Sequence, residues 1–202
     1  ISAAVQQKFY EHKHLSGDPD LFFDAGVSSL IARIEKRTVV ESAVQRTGQH
    51  YGYELQKGTR RLESDRQHEQ HFVFYRHYGN LGQPGGANIH THLRAGACSR
   101  SIFGDPCFSL GGATTIRGIR RNAAEGNAFA LANLQLLVPL TPERTLRGIV
   151  FLDVGTTADT PAKIATSGAK FGVGVGLIWK LQSFVRTDVR AEMAHGFGDD
   201  GD

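Results

Sequence analysis

The segment from Phe171 to Trp179 restricts what this chain can fold into more than any other. Phe171, Val173, Val175, Leu177 and Trp179 fall on one face of an extended strand, and Gly172, Gly174, Gly176 and Ile178 on the other. A period of two identifies a strand, because successive side chains point to opposite faces of a sheet. One face is wholly apolar and ends in an aromatic, while the other is nearly bare backbone. The next segment repeats the division with charge: Val185, Thr187, Val189, Ala191 and Met193 oppose Phe184, Arg186, Asp188, Arg190 and Glu192. Four charges on one strand face do not fit a dry core unless every one is paired. The pattern asks for a sheet with one apolar and one wet face.

The same two-sidedness runs through Asn127 to Leu140, where Ala132, Leu134, Leu136 and Val138 oppose Asn133 and Gln135. Upstream, Phe72, Phe74 and Tyr78 share a face with Arg76, and Val73 and Tyr75 lie between His71 and His77. Those aromatics suit a membrane-interface girdle, and a soluble sandwich would accept them too. The chain holds 24 glycines in 202 residues, well above the usual share of about 7% and unfavourable to a mostly helical fold. No linker or low-complexity tract divides it, so residues 1–202 read as one all-β domain. Candidate strands are Gln6 to His14, Leu21 to Ile34, Glu41 to Leu55, His68 to Tyr78, Asn88 to Ala97, Asn127 to Leu140, Leu146 to Val154, Lys170 to Lys180 and Phe184 to Ala194. Most are long enough to cross a bilayer at a tilt. A single-chain bacterial barrel takes an even number of strands. The expectation is therefore eight in a barrel, with the first or third segment partly outside it or misread. No run of 18 apolar residues occurs, which excludes a transmembrane helix and says nothing against a membrane barrel. The longest interval without a candidate strand, about 98–126, reads as an ordered functional loop.

The formal charge is +3, and the basic residues are interspersed with acidic ones rather than gathered in a stripe, so nucleic acid is not an expected partner. A nucleophile elbow, a phosphate loop and a His-Glu-x-x-His motif are all lacking, and no enzyme activity is expected. Gly172-x-Gly174-x-Gly176 lacks the strand–turn–helix context of a nucleotide fingerprint. His12-x-His14 and His90-x-His92 each put two imidazoles on one strand face, but neither is joined by a carboxylate or cysteine cluster with ligand spacing. Neither a metal nor a cofactor is expected. Cys98 and Cys107 have two readings: unlinked thiols in a cytosolic chain, or a disulfide in an exported one, with Gly104-Asp105-Pro106 turning between them. The chain begins at Ile1 without an initiator Met, as a processed or trimmed product does, so a missing signal sequence is no argument against export.

Leu110-Gly111-Gly112 followed by Ile116-Arg117-Gly118-Ile119 resembles the signature loop of the outer-membrane assembly and two-partner secretion superfamily of barrels, the bacterial surface antigen family. Ile119 stands where that family usually has an aromatic. Downstream, Asn133-Leu134-Gln135-Leu136 to Pro139-Leu140, then Phe151-Leu152-Asp153-Val154-Gly155, then Gly172 to Trp179 and Val185 to Val189 resemble its later strands in order. The likeness covers about residues 101–195. It implies a short transmembrane antiparallel β-barrel in the outer membrane of a Gram-negative bacterium, with the long loop folded into the lumen. It further implies that Arg117 meets Asp153 on the barrel wall, that Gly118 permits the close approach, and that Ile116, Phe151 and Gly155 support the contact. Export favours a Cys98–Cys107 disulfide. A full-size barrel of the family has sixteen strands and soluble periplasmic domains, which 202 residues do not supply, so a short form is expected.

The function that this resemblance implies is membrane-protein insertion or translocation, with the lipid bilayer, client outer-membrane or secreted polypeptides and a second copy of the chain as partners. A small structural outer-membrane barrel that transports nothing is one alternative. A soluble all-β ligand-binding barrel, its apolar faces turned inward, is the other.

Overall fold

The computed structural model describes residues 2–10, 25–42, 45–58, 67–83, 85–100, 106–182 and 186–198. The described residues are all-β apart from a short 3-10 turn at Pro161–Thr166. Its strands are β1 (Ser2–Tyr10), β2 (Ala25–Arg37), β3 (Val40–Glu41), β4 (Arg46–Gly58), β5 (His68–Leu81), β6 (Ala87–Arg100), β7 (Phe108–Leu110), β8 (Ala124–Gly126), β9 (Ala128–Pro139), β10 (Leu146–Ala158), β11 (Lys170–Gln182) and β12 (Arg186–Phe197). The main sheet is an antiparallel meander in the order β1-β2-β4-β5-β6-β9-β10-β11-β12, with β3 paired to β4. The loop strands β7 and β8 form a separate two-stranded ribbon.

Three strand expectations are corrected. All nine candidate segments enter the sheet, so the count of eight fails. The third candidate spans a tight connection as well as a strand: β3 folds back on β4 through Val40↔Thr47 and Glu41↔Arg46, and the long strand starts only at Arg46. Closure is the second correction. Among the described residues β1 and β12 each pair on one side only, leaving the sheet open. With nine antiparallel strands, the first and last run in the same direction. Joining them would need a parallel ladder, which the meander does not make. The long interval is not strand-free either, since it carries β7 and β8. His12, His14 and the other candidate-strand ends at residues 11–14, 21–24 and 184–185 lie outside the described residues.

Register assigns the faces. Arg147, Ile149, Phe151, Asp153 and Gly155 of β10 lie opposite Pro139, Leu137, Gln135, Asn133 and Leu131 of β9. On the other side, Asp153 and Phe151 meet Gly172 and Gly174 of β11, which meet Gly196 and Ala194 of β12. This inner face is the one that the loop covers. Between loop and wall lies a core of Leu110, Ile116, Ile119, Phe129 and Leu131, beside a second cluster of Leu137, Ile149, Phe151 and Ile178. The outer face is apolar and uncovered: Val150, Val175, Trp179 and Val189 are each half or more exposed. The burial of apolar side chains is thus concentrated under the loop, and the sheet's apolar stripe is left to its surroundings.

Candidate functional site

The loop reaches the wall through a tight turn. Gly111 and Gly112 have φ of +114° and +89°, a region that glycine enters without steric cost. The Gly112 N–H donates to the Ile119 carbonyl at 2.9 Å, and the Thr115 hydroxyl donates to the Gly111 carbonyl at 2.9 Å. That turn presents Ile116, Arg117 and Gly118 to the inner face as a unit.

Asp153 is fully buried and accepts from four donors. Arg117 Nε donates to Oδ2 at 2.7 Å, Arg117 Nη2 to Oδ1 at 2.6 Å, the Arg117 backbone N–H to Oδ2 at 3.0 Å and Asn133 Nδ2 to Oδ1 at 2.7 Å. The side-chain pair is the bidentate fork that suits guanidinium and carboxylate geometry. A buried carboxylate needs such saturation, because desolvation otherwise outweighs the attraction of a single partner. Arg117 Cζ stands 3.5 Å from the centre of the Phe151 ring, a cation–π contact, and Arg117 Nη1 donates to Glu192 Oε1 at 3.1 Å. Glu192 in turn accepts from Arg190, which also donates to Gln135 Oε1 at 3.1 Å. The loop backbone is held from β6 and β9 as well. Arg94 Nη2 donates to the Thr114 carbonyl at 2.9 Å and Asn133 Nδ2 to the Thr115 carbonyl at 2.7 Å.

Glycine makes room for this approach. A Cβ on Gly118, whose φ is +87°, would stand 2.5 Å from the His195 carbonyl carbon, and one on Gly172 would stand 2.1 Å from the Arg117 carbonyl oxygen. The bare face of β11 is therefore the seat of the loop. On Gly155 a Cβ would meet Ile116 Cδ1 at 2.9 Å, so Ile116, itself fully buried, packs where that side chain is missing.

The structure brings together Ile116, Arg117, Gly118, Phe151, Asp153 and Gly155. Cys98 and Cys107 are joined by a disulfide at the base of the loop, with Cα atoms 6.4 Å apart, and the Cys98 N–H donates to the Asn127 carbonyl at 2.7 Å. Asn133, Glu192, Arg94, Gly172 and Gly196 also hold the loop but were not among the expected site residues. Asn133 and Glu192 were visible as polar breaks on wet strand faces, and Gly172 as part of the bare face. What their letters lack is the identity of the group they meet. Among the described residues no group of three or more His, Cys, Asp or Glu side chains is arranged to hold a metal ion.

Residues 104–187 match the Omp85 superfamily domain. No curated protein matches the chain. Among solved structures, BamA from Haemophilus ducreyi lacking POTRA domains 1-3 is similar in fold, with a TM-score of 0.67 at 15% identity over 87% of this chain. The match spans 39% of that protein's chain, so this chain corresponds to less than half of it. The matched segment holds the turn, the Arg117–Asp153 contact and the glycine strand, so this part of the chain is similar to the Omp85 superfamily domain, and the likeness that extends upstream of it is one of fold.

Proposed function

We propose that residues 1–202 form one outer-membrane domain of the β-barrel type, its sheet left open between β1 and β12, in a Gram-negative bacterium, acting in the insertion or translocation of other polypeptides and carrying out no chemistry of its own. The observation that carries this reading is the Arg117–Asp153 fork, which fastens a long loop to the inner face of a sheet whose outer face is apolar and uncovered. A soluble ligand-binding barrel would turn Val150, Val175 and Trp179 inward. Here they face out, as lipid contact requires. In this reading the fork, with Gly118, Ile116, Phe151 and Gly155, is a loop lock, and the Cys98–Cys107 disulfide closes the base of the loop. The partners are the bilayer and a client strand or second copy at an exposed edge, since the unpaired N–H and C=O groups of β12 are a template for another strand.

The test is reconstitution of the folded chain in liposomes with an unfolded outer-membrane barrel as client, followed by protease protection of that client. Faster protection than in empty liposomes is the expected result, with Asp153→Asn reducing the gain. Insertion of this chain into the liposomes without any gain would leave a structural outer-membrane barrel and reject the assembly role.

A further inference from the structure

We propose that Arg76, His92 and Arg94, on the inner face of β5 and β6, form a binding site for a phosphate-class oxyanion. Arg76 is the Cα partner of His92 and Phe74 that of Arg94, so the two arginines lie diagonally across neighbouring strands on one face, within reach of a shared ligand. Arg76 Nε donates to His92 Nε2 at 3.1 Å. An imidazole that accepts at Nε2 carries its proton on Nδ1, and the Arg76 guanidinium stands 5.5 Å from the centre of the Phe74 ring. Arg94 Nη2 is committed to the Thr114 carbonyl and Asn133 Oδ1, both at 2.9 Å, but its buried Nε has no protein partner.

Nearby acids of the same face are committed elsewhere. Glu54 pairs with Arg33, Glu35 with His50 at 3.2 Å, Asp153 with Arg117 and Glu192 with Arg117 and Arg190. Among the described residues neither Arg76 nor Arg94 is in an ion pair. The two guanidiniums carry like charge on one partly buried face, and an anion between them offsets their repulsion. Phosphate fits better than a carboxylate, because a tetrahedral anion has enough oxygens to meet two planar forks at once. The source is either free phosphate or a phospholipid headgroup, which share this chemistry.

The experiment uses the full chain folded in maltoside micelles, which contain no phosphate, and follows thermal unfolding during titration at constant ionic strength. Sodium phosphate should raise the unfolding temperature saturably, while sodium chloride should not. Short-chain phosphatidylglycerol tests the headgroup: binding by both compounds identifies a site open to lipid phosphate, and binding by phosphate alone identifies the free ion. Arg76→Gln should weaken the phosphate response at least ten-fold, Arg76→Lys should weaken it less, and Lys163→Gln on the exposed 3-10 turn should leave it unchanged. Failure of both phosphate compounds to give a saturable shift overturns the proposal, as does an Arg76→Gln or Arg76→Lys response equal to that of the unsubstituted chain.

Discussion

Arg117 and Asp153 depend on each other because neither has enough water to stand alone: Asp153 is fully buried and Arg117 is 7% exposed. Replacing Arg117 with Ala should destabilise the folded chain by about 3 kcal/mol, the cost of stranding a buried carboxylate, measured by denaturant unfolding in micelles. Asp153→Ala should cost a similar amount, and the double replacement should cost less than the sum because both singles remove one interaction. Additive losses would mean that Asn133 and Glu192, rather than the fork, dominate the contact. Ile116 and Phe151 show how far letters reach at this scale. Phe151 shares a strand face with Asp153 by its spacing, whereas the part of Ile116 came only from the family resemblance, and the 3.5 Å stacking of Arg117 on the Phe151 ring arises from where the loop turn delivers the guanidinium.

At the level of elements, the glycines of β11 and the disulfide act on the same loop from opposite ends. Gly172→Ala puts a methyl group where the Arg117 carbonyl oxygen stands, whereas a Cβ on Gly168 would meet nothing within 4 Å. Limited proteolysis of membrane-inserted protein should therefore cut the 106–126 segment faster in Gly172→Ala, with Gly168→Ala indistinguishable from the unsubstituted chain. Equal cutting rates for the two variants would remove the glycine strand as the seat of the loop. Reduction, or replacement of Cys98 and Cys107 by Ser, should lower stability by about 2–4 kcal/mol and expose the same segment to protease. The strands themselves were legible wherever one face is apolar and the other polar, as at Lys170–Gln182 and Ala128–Pro139. Glu41 to Leu55 was misread as one strand because its connection, Ser42 to Gln45, contains neither glycine nor proline. The turn is made instead by Ser42, whose N–H and hydroxyl both donate to the Gln45 carbonyl, at 2.9 and 3.0 Å.

For the molecule as a whole, Phe171 and Phe197 mark one end of the apolar outer stripe as Cα partners, and Trp179 lies toward the other. Eight residues of strand at about 3.3 Å each span about 26 Å, or about 20 Å at a tilt near 40°, comparable to the apolar band of an outer-membrane barrel. Trp179 should accordingly be quenched by lipids labelled near the headgroup and poorly by labels at the bilayer centre. Quenching by aqueous agents alone would turn the sheet around. The sequence by itself determined the all-β class, the division of each clear strand into an apolar and a polar face, and the loop between Cys98 and Gly126, because a period of two and a shortage of turn-free intervals are local properties of the chain. Only the tertiary structure decided that nine strands of the described residues pair without closing, that Asn133 and Glu192 join the fork while Arg94 holds the loop beside it, and that Arg76 and Arg94 lie diagonally on one face. Those outcomes depend on strand register and on the path of the loop over the sheet, both set by contacts between residues far apart in the chain, which no local pattern encodes.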